Sequence, residues 1–571
     1  MKILGIHDGH NASAALLEDG AIIAALSEER VSRVKNDPGY PRQAIDALLA
    51  MTGTKPGDIE RVALATQFLH PREFYLNWDW YRKGMEDQKQ DTGIDKEKKR
   101  YFDERLKERN AAATNHLGIP AERIDVVEHH LGHAATAYFG SPWAGGKEPV
   151  LVLTLDGSGD GLCSTVSIGR QGELTRIATT DRNASLGKIY ARITYLLGMK
   201  PWEHEYKLMG LAPYADQAGV AKSLAVLREL IDLDPSDGLT FTAKSGLSAN
   251  YSYPYLKEKL ENHRFDWIAG AMQKLTEELV VQWVKNAIKK TGIYKVACAG
   301  GVFMNVKANM LILNLKEVKE LFVFPSCGDE SLCMGVAYQV YVDRMRKKGE
   351  PALVTPLESL YLGHAFSLSD IERALEKTGA KKNFRVTKEN DITKRAAELL
   401  AKGNIVARFA GRMEWGARSL GNRSILMDPR KQDGVRELNA AIKQRDFWMP
   451  FAPSVLKRRQ SDYLINKKNV RSPYMILSFA TTPEGARDLA AAIHPYDLTA
   501  RPQIVEPNMN PEYHALIEAF EALTGVGALL NTSFNLHGEP IVCSPEDALS
   551  TFARSGLQFL ILNDYLVAKK A

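Results

Sequence analysis

The sequence predicts an α/β protein of two domains, and three observations carry that prediction. A strand and turn plan is repeated: KILGIHDG, NASAALLEDG and AIIAALSEER at the amino terminus are echoed by PVLVLTLDGSGDG, LCSTVSIGRQGE and LTRIATT from Pro149. Toward the carboxyl terminus, helical patterns such as LSDIERALEKTG and ITKRAAELLAKG alternate with strands such as NIVARFA and GALLNTSF, which is α/β organisation. Between the two regions a charged helix stops at Gly349-Glu350-Pro351, a helix-ending signal that reads as a linker. At 571 residues the chain exceeds the roughly 100 to 200 residues of one domain, so a first domain over 1–350 and a second over 356–571 are expected.

The first strand of each echo is a continuous apolar run ending in Asp-Gly, at Asp8-Gly9 and Asp156-Gly157. Such a run suits a central strand buried on both faces, with polar groups emerging at its carboxyl end. Two such units imply a duplicated three-stranded meander. A duplicated meander followed by helices is the plan of the actin, sugar-kinase and Hsp70 superfamily, with its RNase H-like halves, so residues 1–350 are expected to be actin-like (ASKHA). Between the units lies a stretch rich first in aromatics and then in charge, running from Leu69 to Asn110. It predicts a helical insertion at about 69–118, either a solvated hairpin or a cap over an acceptor site. KVACAGGVFMN, from Lys295, is a strand entering a Gly300-Gly301 turn and then a helix.

Composition narrows the function. Charged residues make up 25% of the chain and hydrophobic ones 45%, and the net charge of +5 is spread over 74 basic and 69 acidic side chains. No basic stripe emerges, which argues against a nucleic-acid partner. Five cysteines lack any CxxC spacing and are read as buried thiols of a reducing compartment. No run approaches the roughly 18 apolar residues of a membrane span, and no secretory pattern opens the chain. A cytoplasmic protein is expected.

Of the 13 histidines, three fall inside five positions of EHHLGHAATAYFG. His129 and His133 are four apart, so on a helix they share one face, the spacing of two imidazoles on one metal; ordinary helix histidines are the plainer alternative. Asp156 ends its buried strand, and Asp329 follows ELFVFPS at the start of a helix, so both can converge on the cleft between the duplicated halves. A His2Asp2 set without thiolate suits Fe(II), Mn(II) or Zn(II) better than magnesium. Gly300 and Gly301 allow backbone N–H groups to approach a nucleotide phosphate, with Asn305 in the following turns, and Lys35 and Gly187 can add to that site. No Walker motif is present. In the carboxyl-terminal half, Arg412, Arg418, Arg423 and Arg430 stand among glycines, followed by Lys443, Arg445, Arg501 and Asn531. Guanidinium groups among small residues are what a planar phosphate needs; surface salt bridges are the alternative.

HHLGH, TLDGSGDG, EYKLMGLAPYA, AGGVFMN, GARSLGNRSIL, PFAPS, ARPQ and NTSFN, in that order over almost the whole chain, resemble the NodU/CmcH family of O-carbamoyltransferases. The resemblance implies an actin-like first domain and a YrdC-like α/β second domain. It also implies a reaction: carbamoyl phosphate and ATP, with Mg(2+) able to accompany the nucleotide, give carbamoyl-adenylate in the second domain, and a substrate hydroxyl attacks it in the first. By the same resemblance His129, His133, Asp156 and Asp329 hold an iron-type metal, Fe(2+), and act with Lys35 as the catalytic set. Lys35 and Gly187 contact the adenylate, beside Gly300, Gly301 and Asn305, while Arg418, Arg501 and Asn531 bind carbamoyl phosphate. The sequence departs from the pattern where an arginine precedes PFAP in the aminoglycoside relative: Met449 stands here, leaving Lys443 or Arg445 to supply that contact. The expected acceptor is a hydroxyl of a glycan or small natural product, and a homodimer is expected. Asp8, Asp160 and His130 are all open as general base. A tRNA threonylcarbamoyl transferase and an actin-like sugar kinase or ATPase are the alternative readings; the kinase would yield ADP rather than AMP and pyrophosphate.

Overall fold

The computed structural model describes residues 1–78, 82–83 and 96–570, and they form two units. One comprises Met1–Glu28 and Asn36–Glu358; the other comprises Glu29–Lys35 and Ser359–Ala571. The division falls just beyond the expected linker, but a seven-residue excursion of the amino-terminal chain groups with the second unit.

In the first unit the duplication is literal. Strands β1 (Lys2–His7), β2 (Ser13–Glu18) and β3 (Ala21–Ser27) form an antiparallel meander, and β4 (Arg61–Ala65) and β5 (Ile124–Val127) extend the β1 edge in parallel. The second meander is β6 (Val150–Gly159), β7 (Leu162–Arg170) and β8 (Glu173–Asp181). A small hairpin follows, β9 (Ile231–Leu233) and β10 (Phe241–Ala243), before β11 (Lys295–Ala299) and β12 (Glu320–Val323) add in parallel to β6. The sheet orders β3-β2-β1-β4-β5 and β8-β7-β6-β11-β12 are therefore the same, the duplicated actin-like plan.

The helices of this unit that bear on function are α1 (Arg42–Thr52), α2 (Arg72–Leu76), α3 (Lys96–Leu117), α4 (His129–Phe139), α5 (Leu186–Leu196), α6 (Phe265–Thr291), α7 (Val306–Asn314) and α8 (Leu332–Lys348). Helices α2 and α3 belong to the expected insertion; its residues 79–81 and 84–95 lie outside the described ones. The first sheet packs Leu4, Ile6, Leu16, Val62 and Leu64 against Ile45 and Leu48 of α1. Helices α4 and α8 meet more closely than ordinary side chains allow: a Cβ on Gly335 would lie 2.1 Å from the Gly132 carbonyl oxygen. That close approach joins the two halves.

The second unit is built on one mixed sheet of eight strands. They are β13 (Phe384–Lys388), β14 (Val406–Phe409), β15 (Arg423–Met427), β16 (Ala452–Leu456), β19 (Gln503–Val505), β20 (Ala528–Ser533), β21 (Phe559–Leu562) and β22 (Tyr565–Lys569), in the order β13-β22-β21-β14-β15-β20-β16-β19; β17 (Phe479–Ala480) and β18 (Thr499–Ala500) pair separately. Its core gathers Ile425, Leu530, Leu560 and Val567 from the sheet with Ile371, Leu549 and Phe552 from helices. All five cysteines are buried free thiols. Among the described residues no helix is long and apolar enough to cross a membrane.

Candidate functional site

The histidine helix starts where it does because Glu128 caps it, accepting hydrogen bonds from His130 N at 3.0 Å and Leu131 N at 2.7 Å. His129 is then oriented from two sides. Its Nδ1 lies 2.9 Å from Thr66 Oγ1, and its backbone N–H donates to Asp160 Oδ2 at 2.8 Å. Nε2 thereby faces inward, 3.5 Å from Asp156 Oδ2 and 3.6 Å from Asp329 Oδ1, while His133 Nε2 lies 3.4 Å from the same Asp329 oxygen. One ligand atom from each of His129, His133, Asp156 and Asp329 lies within 4.8 Å of the others. His129 Nε2, both ring nitrogens of His133 and Asp329 Oδ1 are buried without a hydrogen-bond partner. Buried polar atoms in proteins are normally satisfied, so His129 Nε2 and His133 Nε2, 3.6 and 3.4 Å from Asp329 Oδ1, fit a cation together with it.

The electrostatics agree. Burial disfavours a charged His129, yet Asp329 and Asp156 outweigh it and raise the imidazole to about 9. Burial likewise opposes ionisation of Asp156, but the neighbouring histidines hold it below the usual carboxylate range. His130 does not join: its Nδ1 meets Thr154 Oγ1 at 2.8 Å, and burial followed by its two histidine neighbours pushes it well below the ordinary value.

The glycine turn stands directly beside this cluster. Gly300 has φ of 105°, and a Cβ there would sit 2.3 Å from Leu155 O, so the left-handed backbone and the tight approach both demand glycine. Gly301 N donates to Asp156 Oδ1 at 2.9 Å. Gly187, in the first turn of α5, packs on the end of β6; a Cβ would lie 2.9 Å from Asp156 O. Asn305 caps α7 through Ala308 N and exchanges amide hydrogen bonds with Gln273 of α6 at 2.8 and 3.0 Å. Four expected nucleotide-site residues thus share one sheet end. Lys35 groups with the second unit and pairs with Glu29 at 3.0 Å.

Two of the open base positions are occupied. Asp8 is held by Arg109 in a buried fork, with Nε to Oδ2 and Nη2 to Oδ1 both 2.7 Å. Asp160 accepts the N–H groups of Gln67, Phe68 and His129. Thr66 and Arg109 had no signal in the sequence, because their partners are 63 and 101 positions away.

In the second unit, β20 presents Asn531, whose amide meets Ser419, Ser454 and Gln503. Lys443, 3% exposed, donates to Ser533 Oγ at 3.1 Å and Asn535 Oδ1 at 2.9 Å. Burial, then Arg445, then Lys35 push its ammonium well below the ordinary lysine value. Arg501 is driven down by burial and then by Arg418 and Arg445, while Arg445 donates to Thr532 Oγ1 at 3.1 Å. Arg418, Lys443, Arg445 and Arg501 are therefore brought together, joined by Lys35, as a crowd of like charges that an anion would relieve, and neutral Asn531 meets Ser419, the neighbour of Arg418. The other arginines of the sequence pattern serve structure: Arg430 forks onto Asp428, and Arg423 is sealed over Phe409 at 3.7 Å.

Comparison with known proteins identifies the family. The family model described as Carbamoyltransferase N-terminus matches residues 2–338, and Carbamoyltransferase C-terminus matches 397–569. An uncharacterized protein of Synechocystis sp. is 32% identical, covering 98% of this chain and 95% of that one. The nodulation protein NolNO of Sinorhizobium fredii is 32% identical over 98% of this chain and 79% of its own length. The 3'-hydroxymethylcephem-O-carbamoyltransferase of Amycolatopsis lactamdurans is 28% identical over 66% of this chain and 69% of its own. With both matched regions spanning the two units that carry the buried cluster and the cation cradle, the chain belongs to the carbamoyltransferase family and is a transferase of the O-carbamoyltransferase type.

Proposed function

We propose that the protein makes carbamoyl-adenylate from carbamoyl phosphate and ATP in its second unit and transfers the carbamoyl group to an acceptor hydroxyl in its first. The observation that carries this reading is the double use of Asp156: Oδ1 accepts the N–H of the Gly300-Gly301 turn, while Oδ2 faces His129 in the four-ligand cluster. A nucleotide-type anion turn and a metal-type cluster then act on one bound molecule, an adenylate.

Water cleaves carbamoyl phosphate to carbamate and phosphate; a carbamate oxygen attacks the α-phosphorus of ATP and expels pyrophosphate. The acceptor oxygen then bonds to the carbamoyl carbon as the bond to AMP breaks, and the hydroxyl proton passes to a base. In the second unit, Arg418, Arg501, Lys443 and Asn531 bind and orient the phosphate, the guanidinium forks matching its oxygens; Arg445 and Lys35 add charge, which covers the position of Met449. In the first unit His129, His133, Asp156 and Asp329 would hold a divalent metal, iron by the family resemblance, with the chemistry of a Lewis acid and template. Thr66 fixes the His129 ring, and the first turn of α5 at Gly187 brings a backbone donor to the nucleotide beside the Gly300-Gly301 turn and Asn305. Holding hydroxyl and adenylate together removes the entropic part of the barrier.

The test is product analysis. Purified protein given carbamoyl phosphate, Mg(2+) and ATP should release phosphate and pyrophosphate in equal amounts, and added hydroxyl compounds should gain one carbamoyl mass with formation of AMP. Release of ADP without pyrophosphate would instead establish a kinase.

A further inference from the structure

Among the described residues of α3, Phe102, Arg109, Ala113 and Leu117 are buried, one stripe at helical spacing on an otherwise polar helix. Arg109 is the exception on that stripe, because a buried guanidinium has to be paired and hydrogen-bonded. It is 4% exposed, and four of its five N–H groups are committed. Nε and Nη2 grip Asp8, while Nη1 donates to Thr66 O and Nη2 to Ala65 O, both at 2.7 Å. Two of these bonds thus go to the backbone where β4 ends, and only the other two go to the counter-ion.

That piece of backbone is strained. Thr66 has φ of 68°, a left-handed value that is an outlier for a β-branched residue and persists only where the surroundings over-determine it. Thr66 N donates to Val127 O at 2.9 Å, the Thr66 carbonyl is taken by Arg109, and the next two N–H groups, of Gln67 and Phe68, are taken by Asp160 at 2.9 and 2.8 Å. With the backbone so held, Thr66 Oγ1 lies 2.9 Å from His129 Nδ1. A neutral imidazole that offers Nε2 to a metal carries its proton on Nδ1, and that N–H needs an acceptor fixed in place.

We propose that Arg109 is a positioning residue of the metal site: by bonding the Ala65 and Thr66 carbonyls it holds Thr66 in its left-handed conformation, and with it the hydroxyl that orients His129. The contacts run from the guanidinium to the Thr66 carbonyl, and from the Thr66 hydroxyl to the His129 ring. An ion pair with Asp8 alone would need neither carbonyl. The helical insertion, which supplies Arg109, is thereby part of the support of the cluster rather than only a cap or a solvated hairpin. The proposal rests on the reading of His129, His133, Asp156 and Asp329 as a metal site.

The affinity of the full chain for Co(II), read by competition with a chromophoric chelator, tests it in variants whose fold is checked by circular dichroism and thermal melting. Arg109→Lys keeps a charge for Asp8 but not a fork that spans a carboxylate and two carbonyls, and it should weaken Co(II) binding roughly tenfold. Asp8→Asn combined with Arg109→Met leaves no lone buried charge and should lose as much. A double-mutant cycle with Thr66→Val then separates positioning from general stability. If Arg109 acts through Thr66, the pair Thr66→Val and Arg109→Lys binds Co(II) within about twofold of Thr66→Val alone, whereas independent effects multiply. Multiplied losses, wild-type affinity in a folded Arg109 variant, or failure of both Arg109 variants to fold overturns the positioning role. If the wild type binds Co(II) and the cycle fails, only that role falls; if the wild type binds no Co(II), the metal reading of the cluster falls with it.

Discussion

At the scale of single residues, what is legible in the sequence is what lies close along the chain. His129 and His133 declare a shared face because they sit four apart on a helix whose cap, Glu128, precedes them. The Asp8 and Arg109 fork, 101 positions apart, could not be read, and it changes the chemistry by removing Asp8 as a ready base. Thr66 is equally silent in sequence, yet it sets the His129 ring. Thr66→Val keeps the shape and removes the hydroxyl, so metal affinity should drop by roughly 10 to 100-fold, measured by competition with a chromophoric chelator. His129 titrates at about 9 in the metal-free cluster, and a metal must displace that proton. Apparent affinity should therefore rise from pH 7 to 9 by roughly tenfold per unit and level off above; a flat profile over that range would show that His129 is neutral or is not a ligand. In the second unit Lys can replace the charge of Arg418 but not its fork. Arg418→Lys should lower turnover of carbamoyl phosphate by roughly thirtyfold, from the loss of about 2 kcal/mol or more, and supplying carbamoyl-adenylate directly should restore transfer.

At the scale of elements, the duplicated meander was readable from its repeated apolar strand and Asp-Gly turn, and β1 to β3 and β6 to β8 follow those segments closely. The added parallel strands β4, β5, β11 and β12 were less so, since short apolar runs do not state their partners. The excursion of Glu29–Lys35 into the second unit was not readable at all: its ties, Arg33 to the carbonyls of Ile541 and Pro540 at 2.6 and 2.9 Å, span more than 500 positions. The crossing of α4 and α8 is the element on which the cluster depends, for it brings His129 and His133 to the Asp329 loop. Gly335→Ala would drive a methyl against Gly132 O and Thr136 Oγ1, at 2.1 and 2.2 Å. It should cost about 1 to 3 kcal/mol of stability and reduce metal content, both read on the purified protein by thermal melting and metal analysis. Gly57→Ala, which meets nothing within 4 Å, should change neither.

At the scale of the whole molecule, the two units carry two different kinds of residue cluster: buried nitrogen and oxygen atoms beside the Gly300-Gly301 turn in one, and crowded cationic side chains in the other. That division is the central claim, because it assigns adenylate formation and carbamoyl transfer to separate places. The most direct measurement follows pyrophosphate release and acceptor carbamoylation side by side in folded His129→Ala protein. The account predicts that carbamoyl-phosphate-dependent pyrophosphate release stays within a few-fold of wild type while transfer falls by at least a hundredfold. Equal loss of both activities, in a variant that melts as the wild type does, would contradict the division and place both half-reactions at the cluster.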